Sequence, residues 1–84
     1  MEEKLIGKIT HYYGKINVGI IELSDSLKVG DTIHIKGHSS DFNQGISSMQ
    51  IEHLEVNEAK AGDMVGIKVE QKVHPNDEVY KVIG

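Results

Sequence analysis

The chain has 84 residues, 38% apolar and 26% charged, with nine lysines, no arginine and thirteen acids for a formal net charge of −4. That length predicts one domain, residues 1–84, with a thin core, because so short a chain buries only about 60–65% of its unfolded surface. Cysteine is absent, which excludes a disulfide framework and thiolate chemistry. The charged start Met1-Glu2-Glu3-Lys4 leads into no long apolar run, so neither a secretory leader nor a membrane helix is expected, and the cytoplasm is the expected compartment. With no arginine and an acidic balance, steering of the whole protein toward a polyanion is not expected either.

No window holds the i, i+3, i+4, i+7 apolar pattern of a helix for three turns. Short alternations broken by Gly, Asn, Asp or Ser predict strands near 4–13, 16–24, 31–37, 45–56, 63–70 and 77–83. Along the first two, Gly7 and Gly19 suggest a bulge or a close backbone approach, as Gly66 does further on. The pair Ile20-Ile21 switches parity, which suggests a β-bulge or a strand covered on both faces. Tyr12 and Tyr13 stand beside Gly14 and Lys15 at a hairpin tip, and one of two consecutive strand residues must point outward. The clearest strand is Asp31-Thr32-Ile33-His34-Ile35-Lys36-Gly37, with the isoleucines on one face. Residues 37–45 read as the longest loop, and 57–61 as one helical turn at most.

A short phrase recurs: Gly30-Asp31-x-Ile33, Gly62-Asp63-x-Val65 and Asn76-Asp77-x-Val79. Gly and Asn accept positive φ, and Asp bonds nearby backbone N–H groups, so the phrase reads as a turn feeding a strand. As a site it would need three aspartates from distant turns to converge.

Five histidines, His11, His34, His38, His53 and His74, raise the question of a metal. His34 and His38 share a strand parity, but Gly37 ends the strand between them, and no cysteine or helical His pair assists. No metal or cofactor is expected. Ser39, Ser40, Ser47 and Ser48 lie near His38 in sequence, yet nucleophilic catalysis needs an aligned base, an orienting acid and an oxyanion site, so no enzyme activity is expected. Glu52 and Glu55 have opposite parity and do not pair on one face. A polar face of Lys36, His38, Gln50 and His53 beside the long loop is the candidate partner surface, with Lys15 a further candidate contact.

The order of phrases 14–22, 27–37 and 46–67, above all Glu58-Ala59-Lys60-Ala61-Gly62-Asp63-Met64-Val65-Gly66, resembles the second domain of translational GTPases such as elongation factor Tu. It also resembles a stand-alone, translation-elongation-factor-like small family of unestablished function. The resemblance runs from about Lys4 to Val82 and implies an all-β fold: a closed, six- to seven-stranded, mainly antiparallel β-barrel of the elongation factor Tu domain 2 type. No Gly-x-x-x-x-Gly-Lys-Ser/Thr is present, so GTP binding is not expected. In that family a glutamate of a Val-Glu-Met strand lies near the terminal adenosine of tRNA, and the matching position here is Gln50. The implied function is a non-catalytic binding module contacting the translation apparatus, with the ribosome, tRNA or a translation protein as partner. The alternative is a protein–protein adaptor or accessory barrel, since similar barrels close the carboxyl end of some collagenase-like peptidases.

Overall fold

The computed structural model describes residues 2–83, and among them every element is a strand. They are β1 (Glu2–Tyr13), β2 (Val18–Leu23), β3 (Leu27–Lys28), β4 (Thr32–Lys36), β5 (Asp41–Gly45), β6 (Met49–Ile51), β7 (Leu54–Val56), β8 (Glu58–Ala59), β9 (Met64–Lys68) and β10 (Glu78–Ile83). Eight form one sheet in the order β5-β4-β10-β1-β2-β9-β6-β7, and β3 pairs with β8 in a separate ladder. Every pairing is antiparallel. The alternating inward residues, Ile9, Ile21, Ile33, Ile35, Val65 and Val79 among them, are wholly buried in one core. Each such side chain contributes about 1.5–3 kcal/mol through burial.

The recurring phrase is a turn, and it is made the same way three times. Lys28, Lys60 and His74 each open a four-residue turn whose last residue is the aspartate. The Asp31, Asp63 and Asp77 N–H groups donate to their carbonyls at 3.1, 3.0 and 3.1 Å. In return their own N–H groups donate to the three aspartate carboxylates at 3.0, 3.0 and 2.9 Å. The third residue has φ of +100° at Gly30, +94° at Gly62 and +75° at Asn76, the mark of a type II turn, and Pro75 fills the position before it. Each turn then clamps a strand end. Gly30, Gly62 and Asn76 N–H donate to the carbonyls of Ile46, Leu23 and Ile9, and the N–H groups of those residues donate to the carbonyls of Asp31, Asp63 and Asp77.

Two bulges interrupt β1. The register jumps from Leu5 to Gly7, leaving Ile6 as an extra residue, and from Ile9 to His11, leaving Thr10. Gly7 is required beside the first, because a Cβ there would lie 2.5 Å from the Glu22 carbonyl oxygen. The parity break expected at Ile20-Ile21 is thus carried by the opposite strand: β2 alternates regularly, Ile21 inward and Ile20 outward.

Other expectations need correction. The segment 45–56 is no single strand but a β6–β7 hairpin, reversed at Glu52 and His53, whose φ values of +52° and +66° are those of a type I′ turn. That turn prefers Asn-Gly, so Glu-His gave no signal. The expected 37–45 loop contains β5, hidden because one of its inward positions is Gln44 rather than an apolar residue. The expected helical turn at 57–61 is β8.

Among the described residues the expected closed barrel is not found: β5 and β7 are the two edges of the large sheet. At the β5 edge a side chain stands in for the missing ladder. Gln44 Nε2 donates to the Lys68 carbonyl at 2.9 Å, and the Glu70 N–H donates to Gln44 Oε1 at 2.9 Å. Ser40 Oγ adds a longer bond of 3.3 Å to the Lys72 carbonyl.

Two outcomes follow for stability in urea. Gly62→Ala meets no atom within 4 Å, so its cost is purely conformational, about 1–2 kcal/mol for a side chain held at positive φ. Gln44→Leu keeps the volume but strips both bonds from the seam and should cost about 2–4 kcal/mol, the penalty for two backbone groups left without partners. An unchanged unfolding midpoint in Gln44→Leu would show that the seam does not stabilise the β5 edge.

A candidate docking groove over Gly66

The outward positions of β2, β9 and β6 form rows across the sheet: Ile20 opposite Gly66, and Gly66 opposite Gln50, with Val18–Lys68 and Glu22–Met64 as the flanking pairs. Lacking a side chain, Gly66 makes the middle row dip; a Cβ there would touch Ile20 Cδ1 at 3.4 Å and Val18 Cγ1 at 3.5 Å. The result is a groove of about 400 Å³, with Tyr13, Ile16, Glu52 and His53 at its rim. Tyr13, Ile16 and Met64 are 50%, 58% and 44% exposed. The Tyr13 ring lies parallel to that of His11, centroids 6.3 Å apart. Glu52 and His53 hold their places at positive φ, a strain of about 1–3 kcal/mol each that clusters at functional surfaces.

A second hollow of about 370 Å³ lies over Leu5, Gly62 and Asn76. Two of its backbone donors, Gly62 and Asn76 N–H, belong to the turn clamps, and Lys8 stands in register between Glu22 and Glu78. The Gly66 groove has free polar groups, since neither Gln50 nor His53 hydrogen-bonds through its side chain among the described residues.

The residues singled out in the sequence divide between two places. Gln50 and His53 line the groove, and Lys15 lies in the turn between Tyr13 and Ile16 at its rim. Lys36 is the last residue of β4, in register with Asp41 and Glu78, and His38 is exposed in the connection to β5. Four strands of the sheet, β10, β1, β2 and β9, separate β4 from β6, so these two do not join the groove. Tyr13, Ile16 and Met64 were missed as groove residues. Their signal was in the alternation, which puts bulky apolar residues at outward positions on both sides of an outward glycine.

The histidine with the most defined surroundings is His34. Nδ1 lies 2.8 Å from Glu3 Oε2, and Nε2 bonds Asp41. Carboxylates only accept, so these two contacts favour the protonated ring, in which both nitrogens donate. The bonds to Asp41 first and Glu3 second raise its pKa above the ordinary value of 6.5, against partial burial. Tyr80 tilts over the ring with centroids 6.2 Å apart. The two carboxylates take opposite ends of the ring, and no group of three or more His, Asp or Glu residues converges as a metal site among the described residues.

No family model matches the chain. It is 42% identical over 76 residues to an uncharacterized protease of Methanocaldococcus jannaschii, covering 89% of this chain and 19% of that one. A collagenase of Porphyromonas gingivalis is 29% identical over 82 residues, 95% of this chain and 23% of that one. The chain therefore spans about a fifth of the length of these curated relatives. Among solved structures, the C-terminal domain of a U32 peptidase from Geobacillus thermoleovorans superposes with a TM-score of 0.89 at 19% identity, covering 95% of this chain and 93% of that one. Its selenomethionine variant superposes with a TM-score of 0.86 at 19% identity, covering 90% and 96%. The fold is that of a U32 peptidase C-terminal domain. This overturns the elongation factor Tu assignment and the translation-factor reading that followed from it. The phrase that carried that resemblance, Glu58 to Gly66, is a clamp turn between β8 and β9. Turn chemistry of this kind reports local backbone geometry and not which protein the domain serves.

The His34 arrangement sets a pH dependence. A raised folded pKa means its stabilisation is complete below the unfolded value near 6.5 and is lost as pH rises through the folded one. Urea stability should therefore fall as pH is raised above 6.5, and His34→Gln should flatten that fall, with wild type and variant converging at the alkaline end. Parallel curves for the two proteins would contradict this assignment.

Proposed function

We propose that the chain is an accessory module without catalysis of its own, of the kind appended to U32-type peptidases, and that it acts by docking a protein partner. The observation that carries this is one of proportion: most of this chain aligns with only about a fifth of each protease relative. What is shared is thus a module, and its counterpart of known structure is a C-terminal domain of nearly the same extent. The side-chain chemistry supports the same reading. Ser40 is occupied as a donor to the Lys72 carbonyl, and no serine hydroxyl bonds a histidine among the described residues. The acidic net charge favours a partner with a basic face overall, and Lys15, Gln50 and His53 at the groove, with Lys36 and His38 as a separate region, are assigned to the polar and acidic groups of that partner.

The test is to mix the chain with the catalytic body of a U32-type peptidase from the same host, prepared without its own β domain. Sedimentation and calorimetry should give a 1:1 complex unaffected by nuclease, and the chain alone should leave gelatin uncut. Gelatin cleavage by the chain alone, or no association with the body, would overturn the reading.

A further inference from the structure

We infer that the Gly66 groove binds an extended segment of a protein partner, seating an apolar side chain over Gly66 with a lysine or arginine of the same segment against Glu52. This takes from the accessory-module reading only that the partner is a protein. Three observations give the ligand its chemistry.

The first is the uneven spread of exposed apolar surface. Tyr13, Ile16 and Met64 line this groove. Three of the seven large exposed apolar side chains among the described residues thus gather at one place, where burial against a partner is most favourable. The groove of about 400 Å³ opens over Gly66, between Ile20 and Gln50.

The second is the polar group in the middle row. The exposed Gln50 amide presents both a donor and an acceptor and makes no side-chain hydrogen bond among the described residues. A peptide group offers the matching acceptor and donor, whereas a lipid tail or hydrocarbon would leave the amide buried without a partner.

The third is polarity along the groove. Glu22 is paired with Met64, and the antiparallel run of β6 from Gln50 carries Glu52 toward the same end; Lys68 is paired with Val18 at the other, near Lys15. A bound segment therefore places its cation by Glu52 and Glu22, and its acidic or carbonyl-rich side by the lysines. The Tyr13 ring is already held parallel to His11, so little side-chain freedom is lost on docking.

The test is an amide NMR titration of the full chain with the blocked peptide acetyl-Gly-Leu-Gly-Lys-Gly-amide. Saturable shifts are expected at Ile20, Gln50, Met64 and Gly66. The peptide with serine for leucine should bind about tenfold more weakly. Gly66→Val fills the dip and should weaken binding by a similar factor, while Glu52→Lys should reverse the preference between the lysine peptide and its glutamate counterpart. Should Gly66→Val fail to fold, the exposed changes Met64→Lys and Tyr13→Ala take its place. No shifts, shifts outside the groove, or shifts indifferent to these variants would overturn the inference. Wild type and Gly66→Val are also compared on the peptidase body. Equal binding by both overturns the groove and leaves the accessory reading standing; groove-specific peptide binding with no affinity for the body does the reverse.

Discussion

Three backbone residues, Ile9, Leu23 and Ile46, each exchange two hydrogen bonds with a Gly-Asp or Asn-Asp turn, and the rest of the structure depends on that repeated clamp. All three are buried, so their peptide groups require partners inside the protein. The turns supply those partners while reversing the chain into β4, β9 and β10. Core packing and chain reversal are thereby fixed by the same atoms. A small domain with a thin core gains most from such double use, since every ordered residue carries an entropy cost that few apolar contacts offset.

This explains how much was legible in the sequence. Positive φ at Gly30, Gly62 and Asn76 and the aspartate capping of each turn follow from residue chemistry, and so do the strands they feed. What escaped was structure whose determinants are not apolar alternation. Strand β5 turns a glutamine inward, because its hydrogen-bonding edge is completed by that amide and not by another strand. The β6–β7 reversal uses Glu and His at positive φ, residues that no turn rule selects. The same turn phrase that revealed the fold class also pointed to the wrong relatives, since a phrase that encodes geometry is shared wherever that geometry is needed.

The candidate site was half legible. Gln50 and His53 were found as outward polar residues, and the structure sets them together at one groove. Lys36 and His38 were grouped with them through proximity to a loop, which the strand order undoes. The apolar half of the groove was passed over because Ile20 read as a packing irregularity. Its outward position is instead the ordinary one for its strand. His34 illustrates a different limit: its partners, Glu3 and Asp41, lie 31 and 7 residues away, and only the strand order β5-β4-β10-β1 brings all three to one surface.

The extra residue at Thr10 has a consequence for the aromatic end of the groove. Before it, β1 is in phase with the core; after it, the phase is reversed, so that Tyr12 packs inward while His11 and Tyr13 face out. The Thr10 hydroxyl bonds the Ile20 carbonyl, holding the boundary between the two phases where it is. A strand that absorbed the extra residue and paired straight through would trade Tyr12 for Tyr13, emptying the groove wall and forcing an imidazole toward the core. Core and groove are therefore two readings of one strand, kept in different frames by a single residue, and a change in strand length is neutral to both only when it preserves the offset between them.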